Sequence, residues 1–381
     1  MKVLHIGHVG LDENHPDYSH LAFHPGRWVL NHALAQKLNP SLEVEVLMHM
    51  PGAREDWQGE IDGVMVHCLK APLRWRSSTL FYFDVKRLVK RVKEIRPDVV
   101  HAHGTEDAYA LAALHSGLPF LLTAQGMHYQ INELLKPKLF SRSRIIELTE
   151  RYFMSRCEHV IAKSEYVKSS LEKHFPHLKT YLIPNTFDAN NLNVNCSNKQ
   201  RHHFVFVGMI DQRKGVHLIA DALEKMKSLD QIHLSIVGNN TYAQSNYEKE
   251  QIERLKTLLG DRLYLHGRVS GRKAFEIVSR AEALIAPSLE EMFGNQLIEA
   301  LLACTTGIVS DDTALAENVR LFGNGLIFKN GSAESLRNAI QKVFELGVDH
   351  NQAVRSREKI IDVLGPHHIG ECHINIYKSI I

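Results

Sequence analysis

Two carboxylates lie eight residues apart at Glu291 and Glu299, where an apolar run ending near Ala286 gives way to a helical pattern starting near Asn295. Gly294 stands at the junction and lets the backbone come close to a bound group. The amides of Asn295 and Gln296 follow it. Glu291 then falls on the loop and Glu299 about one turn into the helix, so both can face one pocket. Carboxylates at a fixed separation suit hydrogen bonds to paired hydroxyls, on a ribose or a hexose. A plainer alternative stays open, in which Glu291 complements the helix dipole and Glu299 is surface charge. A second constellation runs from Phe204 to Gly215: a strand ends at Gly208, and Arg213 and Lys214 precede a helix starting near Gly215. A helix N-terminus flanked by cations suits a diphosphate. Its alternative is a strand-to-helix turn with a solvated basic pair.

The elements that must position these residues repeat along the chain. Short β-branched apolar runs occur at 3–6, 44–48, 64–68, 99–103, 120–123 and 160–162, then at 204–207, 233–237, 263–265, 283–286, 307–309 and 326–328. Such runs predict buried parallel strands. Amphipathic stretches lie between them, so the pattern is α/β. An Asn-rich stretch at 186–203, without apolar periodicity, marks a linker. Two Rossmann-like domains are therefore expected, at 1–185 and 186–366. Ligands of open parallel sheets bind beyond the carboxyl ends of the strands, and the expected site is a cleft between the domains.

Composition narrows the function. Of 381 residues, 45 are basic and 43 acidic, for a net charge of +2, which gives no case for nucleic-acid binding. The five cysteines form no C-x-x-C motif, and the set suits a reducing cytosol. No segment has the length of a transmembrane helix, and a cytoplasmic protein is expected. Residues 74–96 carry eight basic and two acidic side chains beside Trp75, Phe81, Tyr82 and Phe83. That stretch reads either as a solvated helix face or as a peripheral contact at the inner face of a membrane.

The E-x7-E spacing of Glu291 and Glu299, with Phe293 and Gly294 between and Ala300 after, resembles the donor-site signature of glycosyltransferase family 4, a retaining group of the GT-B fold. Further matches extend over residues 1–330: Gly208 with Lys214 and Gly215, the strand ends at Gly238 and Gly267, Ile183-Pro184-Asn185, Ser164, and His101 with His103. The resemblance implies two Rossmann-like domains facing across a cleft, with the helix at 367–381 packing back on the first. It implies that Glu299 binds the nucleotide ribose, that Glu291 binds hydroxyls of the transferred sugar, and that Lys214 neutralises the diphosphate. The amides of Gly294, Asn295 and Gln296 would hold sugar and phosphate, and Gly267, Arg268 and Val269 would lie near the base. Gly26 and Arg27 are the N-domain candidates near acceptor and phosphates.

Two departures bear on the site. Met209 stands where the family usually has arginine, which makes Arg213 the neighbouring replacement. Gln125 stands where the family often has a histidine that contacts the donor sugar; glutamine can hydrogen-bond a hydroxyl but supplies no positive charge. His128 is the nearby compensating candidate. The implied reaction is retaining transfer of a hexose from a UDP-, GDP-, ADP- or dTDP-sugar to a sugar or lipid-linked hydroxyl, in surface polysaccharide or glycolipid synthesis. No D-x-D motif occurs, and no metal or other cofactor is expected. The rival readings are a nucleotide-sugar epimerase on the same fold and a non-catalytic binding or scaffold protein.

Overall fold

In a computed structural model of the chain, the described residues are 1–10, 26–72, 74, 76–188, 192, 198–239 and 245–381. The sequence reading at Trp75 and part of the linker read at 186–203 lie outside them. The chain divides into two compact units, one of Met1–Thr186 with Leu364–Ile381 and one of Phe187–Val363.

The first unit contains β1 (Lys2–Ile6), α1 (Trp28–Lys37), β2 (Glu43–Pro51), β3 (Trp57–Ile61), β4 (Val64–Ala71), α2 (Tyr82–Ile95), β5 (Val99–His103), α3 (Ala108–Leu114), β6 (Phe120–Thr123), α4 (His128–Leu135), α5 (Arg142–Met154), β7 (His159–Ala162), α6 (Glu165–His174) and β8 (Lys179–Leu182). Its sheet has the order β3-β4-β2-β1-β5-β6-β7-β8. All pairings are parallel except the β3–β4 hairpin. That hairpin turns at Asp62 and Gly63, both at positive φ, the conformation of a two-residue hairpin turn. Interior strands such as β5 are buried at every position, as strands covered on both faces must be.

The second unit contains β9 (Gln200–Val207), α7 (Val216–Leu223), β10 (His233–Val237), α8 (Asn246–Leu259), β11 (Leu263–Gly267), α9 (Gly271–Arg280), β12 (Ala281–Ala286), α10 (Asn295–Leu302), β13 (Thr306–Ser310), α11 (Ala314–Phe322), β14 (Gly325–Phe328) and α12 (Ala333–Leu346). Its sheet is parallel throughout, in the order β11-β10-β9-β12-β13-β14. Two long helices follow, α13 (His350–Leu364) and α14 (Pro366–Ile380). α14 lies in the first unit and packs on α1. Its Ile369, Ile374, Ile376 and Tyr377 join the core built by β1, β2 and β4.

All twelve strands expected from apolar runs are present. Two strands escaped that reading, β3 and β8, at the two edges of the first sheet. Both lack the continuous apolar run of a buried strand: β3 reads WQGEI and β8 reads KTYL, and neither has a fully buried residue.

Candidate active site

In the second sheet the strand order reverses between β9 and β12, and the crevice beyond the carboxyl ends at such a reversal is where open α/β sheets bind ligands. Both candidate loops leave the sheet there. The β9 loop ends at Gly215, the residue capping α7, with φ +70°. A Cβ at Gly215 would lie 2.0 Å from the Pro287 carbonyl oxygen, so only glycine fits against the β12 loop. The Leu289 amide donates to the Arg213 carbonyl at 2.7 Å, which ties the loops together. Gly294 caps α10 with φ +84°, and a Cβ there would meet Leu315 at 2.2 Å. The Asn318 amide group donates to the Phe293 carbonyl at 2.6 Å.

These constraints bring Lys214 to Glu291. The Lys214 ammonium donates to Glu291 Oε2 at 2.5 Å, and Gln296 Nε2 donates to the same oxygen at 3.2 Å. Burial raises the Glu291 carboxyl, but Lys214, Arg213 and the hydrogen bonds outweigh it and hold it at about 2. Glu291 is therefore ionised at any working pH. Among the described residues Lys214 engages one of its three donors, leaving two for another anion. Arg213 turns elsewhere. Its guanidinium donates to the carbonyl and to Oε2 of Glu290, both at 3.2 Å. Burial pushes the Glu290 carboxyl up while Arg213 draws it down. Arg213 is thus committed to a buried partner that sequence reasoning did not single out, and Met209, 38% exposed, carries no charge in its place.

Glu299 lies one turn into α10 and is half-buried. Burial pushes its carboxyl up to about 7, and Asp188 adds to the rise. No hydrogen bond to its carboxylate occurs among the described residues. Asn295 and Gln296 open α10, so their amides head a helix N-terminus beside Lys214 and Glu291. Gly208 and Gly238 directly follow β9 and β10, and Gly267 ends β11. The Gly238 amide donates to the Gly267 carbonyl at 2.7 Å, and a Cβ at Gly238 would meet the Gly208 carbonyl oxygen at 2.2 Å. Arg268 and Val269 follow, both half-buried.

Gln125 and Gly26 belong to the first unit. Gln125 follows β6 and is held from two sides: Lys163 donates to its Oε1 at 2.5 Å, and its Nε2 faces His103 Nδ1 at 3.4 Å. One consistent set of tautomers extends this chain. Tyr377 donates to Gln36 Oε1 at 3.2 Å, and His5 Nε2 reaches the same oxygen at 2.9 Å, which makes it a donor. His5 Nδ1 then accepts from His103 Nε2 at 2.8 Å, leaving His103 Nδ1 to accept from Gln125. Burial keeps these histidines neutral, His5 being pushed down to about 3. The cation beside Gln125 is accordingly Lys163, which the sequence reading passed over; His128 sits against Ser143. Gly26 accepts from the Gly10 amide at 3.2 Å, and Arg27 pairs with Asp62 of the β3–β4 turn.

Two groups among the described residues bring metal-ligating atoms within 4.8 Å of one another: His5, His101 and His103, and His8, His49 and Asp107. In the first, the ring nitrogens bond to each other and to Gln36, Tyr377 and Thr123. In the second, the Arg76 guanidinium already contacts both His49 and Asp107, a fixed cation where a metal would compete. Neither donor set fits a resident metal well.

Two family models adjoin along the chain, one described as Glycosyltransferase Family 4 over residues 27–191 and one as Glycosyl transferases group 1 over residues 188–360. Among similar proteins, the O-antigen chain mannosyltransferase of Salmonella typhimurium is 27% identical over 235 residues, 61% of this chain and 64% of that protein. The alpha-maltose-1-phosphate synthase of Mycolicibacterium smegmatis is 24% identical over 314 residues, 74% of this chain and 79% of that one. Sucrose-phosphate synthase from Thermosynechococcus elongatus superimposes with a TM-score of 0.77 at 19% identity, covering 99% of this chain and 98% of its own. Anabaena HepE, solved with UDP-glucose, does so with a TM-score of 0.75 at 17% identity over all of both chains. The structural likeness establishes the GT-B fold.

Proposed function

This chain is a member of glycosyltransferase family 4, and from that premise we propose that it transfers a hexose, with retention, from a nucleoside diphosphate sugar to a hydroxyl acceptor. One observation carries the reading: at the strand-order reversal of the second sheet, Lys214 keeps two ammonium donors beside the N-terminus of α10 and the ionised Glu291. Diphosphate oxygens meet positive charge there, from the ammonium and from oriented amides. Glu291 accepts hydrogen bonds from sugar hydroxyls, Glu299 from the ribose, and the nucleobase lies towards Gly267, Arg268 and Val269. Gln125, steadied by Lys163 and His103, hydrogen-bonds a substrate hydroxyl.

The proposed chemistry is same-face displacement. The bond from the anomeric carbon to the diphosphate oxygen breaks, the acceptor oxygen bonds to that carbon, and the acceptor proton passes to the departing phosphate oxygen. Charge growing on the diphosphate is met by groups already in place, which is where preorganised electrostatics lower a barrier. No protein nucleophile and no metal are invoked. The Salmonella and Anabaena proteins, by their names and ligands, support a nucleotide-sugar donor and a polysaccharide-type acceptor.

Purified protein is to be incubated with UDP-, GDP-, ADP- and dTDP-hexoses and candidate acceptors, and the product anomer read by NMR. The expected outcome is a product with the donor's anomeric configuration, and a fall in turnover of about a hundredfold or more in Glu299→Ala and Lys214→Ala. An inverted product would refute retention, donor isomerisation without acceptor would favour an epimerase, and full turnover in Glu299→Ala would refute the site.

A further inference from the structure

The two most exposed large apolar side chains of the described residues lie side by side on one stretch of the first unit, and two more follow along it. After α4 ends at Leu135, the connection to α5 presents Leu139 at 76% and Phe140 at 92% exposure. Along α5, Leu148 and Tyr152 stand four residues apart and so share one face of the helix, at 66% and 43% exposure. Ser141, which heads that face, directly follows Phe140 and caps the helix. The loop tip and the helix face thus form one ridge. The short helical turn at Ser77–Thr79 packs against α5, and the exposed Leu80, Tyr82 and Phe83 follow it.

Within residues 134–156 the exposed charges have one sign. Residues 134–156 hold six basic side chains, Lys136, Lys138, Arg142, Arg144, Arg151 and Arg156, and two acidic ones, Glu147 and Glu150. Both acids are buried. Glu147 accepts from Asn132, Arg144 and Arg151. Glu150 accepts from the Thr105 hydroxyl at 2.6 Å and from the His128 and Tyr129 amides that open α4. The outer face keeps cations alone. The Arg156 guanidinium stacks 4.0 Å over the Tyr152 ring at the far end of the ridge. Exposed acids flank the segment at Glu133 and Glu158, the latter tied to Lys179. On α2, by contrast, Arg87 and Arg91 are engaged by Asp56, Gln58 and Glu94.

We propose that this ridge docks the protein on an anionic lipid bilayer, with Leu139, Phe140, Leu148 and Tyr152 entering the headgroup region and Lys136, Lys138, Arg142 and Arg156 meeting lipid phosphates. An exposed apolar wedge needs a cover. Cations around it, with every acid of the segment turned inward, select a negatively charged one. The same uniform charge opposes pairing with a second copy of the chain. No helix among the described residues is long and apolar enough to cross a membrane, so the contact is peripheral. Vesicle binding needs no nucleotide, so this contact is independent of the donor chemistry.

Sedimentation of the purified chain with vesicles of phosphatidylcholine alone, and of phosphatidylcholine with phosphatidylglycerol, tests it. Binding is expected to the anionic vesicles only. It should weaken as salt rises from about 0.1 M to about 1 M and the screening length falls from about 10 Å to about 3 Å. Leu139→Ser/Phe140→Ser is expected to lower vesicle affinity at least fivefold, roughly, by removing the apolar wedge. Lys136→Glu/Lys138→Glu/Arg142→Glu should lower it by about tenfold or more. All five side chains are exposed, so both variants should keep the parent thermal midpoint. Equal binding to the two vesicle types, no binding to either, or unchanged binding by the variants would overturn the proposal. So would a dimer in solution that Leu139→Ser/Phe140→Ser dissociates, which would give the ridge to a second copy.

Discussion

Glu291 and Glu299 share a sequence motif and a helix junction, yet their surroundings drive them in opposite directions. Lys214 keeps Glu291 ionised, at about 2, while burial, with no hydrogen-bond partner among the described residues, raises Glu299 to about 7. A ribose diol donates best to a carboxylate, so in the role proposed for Glu299 nucleotide binding favours its ionised form and displaces a proton in the pH range where the free group is partly protonated. The sign follows. The folded protein holds this proton more tightly than the unfolded chain does, so Glu299 costs stability progressively from about pH 4.5 to about pH 7, and nucleotide affinity rises over the same interval. Calorimetry of nucleoside diphosphate binding in buffers of different ionisation enthalpy should record proton release near pH 6. Glu299→Gln should abolish that release along with the pH dependence. An affinity independent of pH in the parent protein would contradict the role given to Glu299.

At the scale of elements, the site is two strand-to-helix loops that touch. Gly215 is where they touch most closely: a methyl group on its Cα would stand 2.0 Å from the Pro287 carbonyl oxygen. Gly215→Ala therefore forces the β9 and β12 loops apart while also placing alanine at positive φ. A loss of about 2 kcal/mol or more is expected in urea unfolding, with the m-value unchanged, together with weakened nucleotide binding. Near-parental values of both would mean that the loop contact does not shape the site. Much of this geometry was legible in the sequence. The glycines mark the loops, the apolar runs mark the strands, and the start of α10 at Asn295 follows from Gly294 as a cap. What was not legible depends on contacts across the fold. Glu290 reads like any loop acid until Arg213, 77 residues earlier, is seen to reach it. Lys163 reads as a strand-end lysine until β6 and β7 pair and bring it to Gln125. Likewise β3 and β8 lack a buried apolar run because edge strands do not need one.

At the scale of the molecule, the chain is two parallel-sheet units with the last helix returned to the first. That return explains why α14, so far along the chain, supplies Tyr377 to a hydrogen-bond series ending at Gln125. Both units offer ligand-binding groups at the carboxyl ends of their strands, but the charge that grips a diphosphate is assigned to the second. Calorimetric titration of UDP, GDP, ADP and dTDP into the parent chain and into Lys214→Met tests that assignment most directly. At least one nucleotide is expected to bind the parent, and Lys214→Met to weaken it by about tenfold or more, the worth of a charge-assisted hydrogen bond. If none of the four binds, or if the parent and Lys214→Met bind equally well, the diphosphate does not lie beside Lys214 and the donor site is not the one assigned.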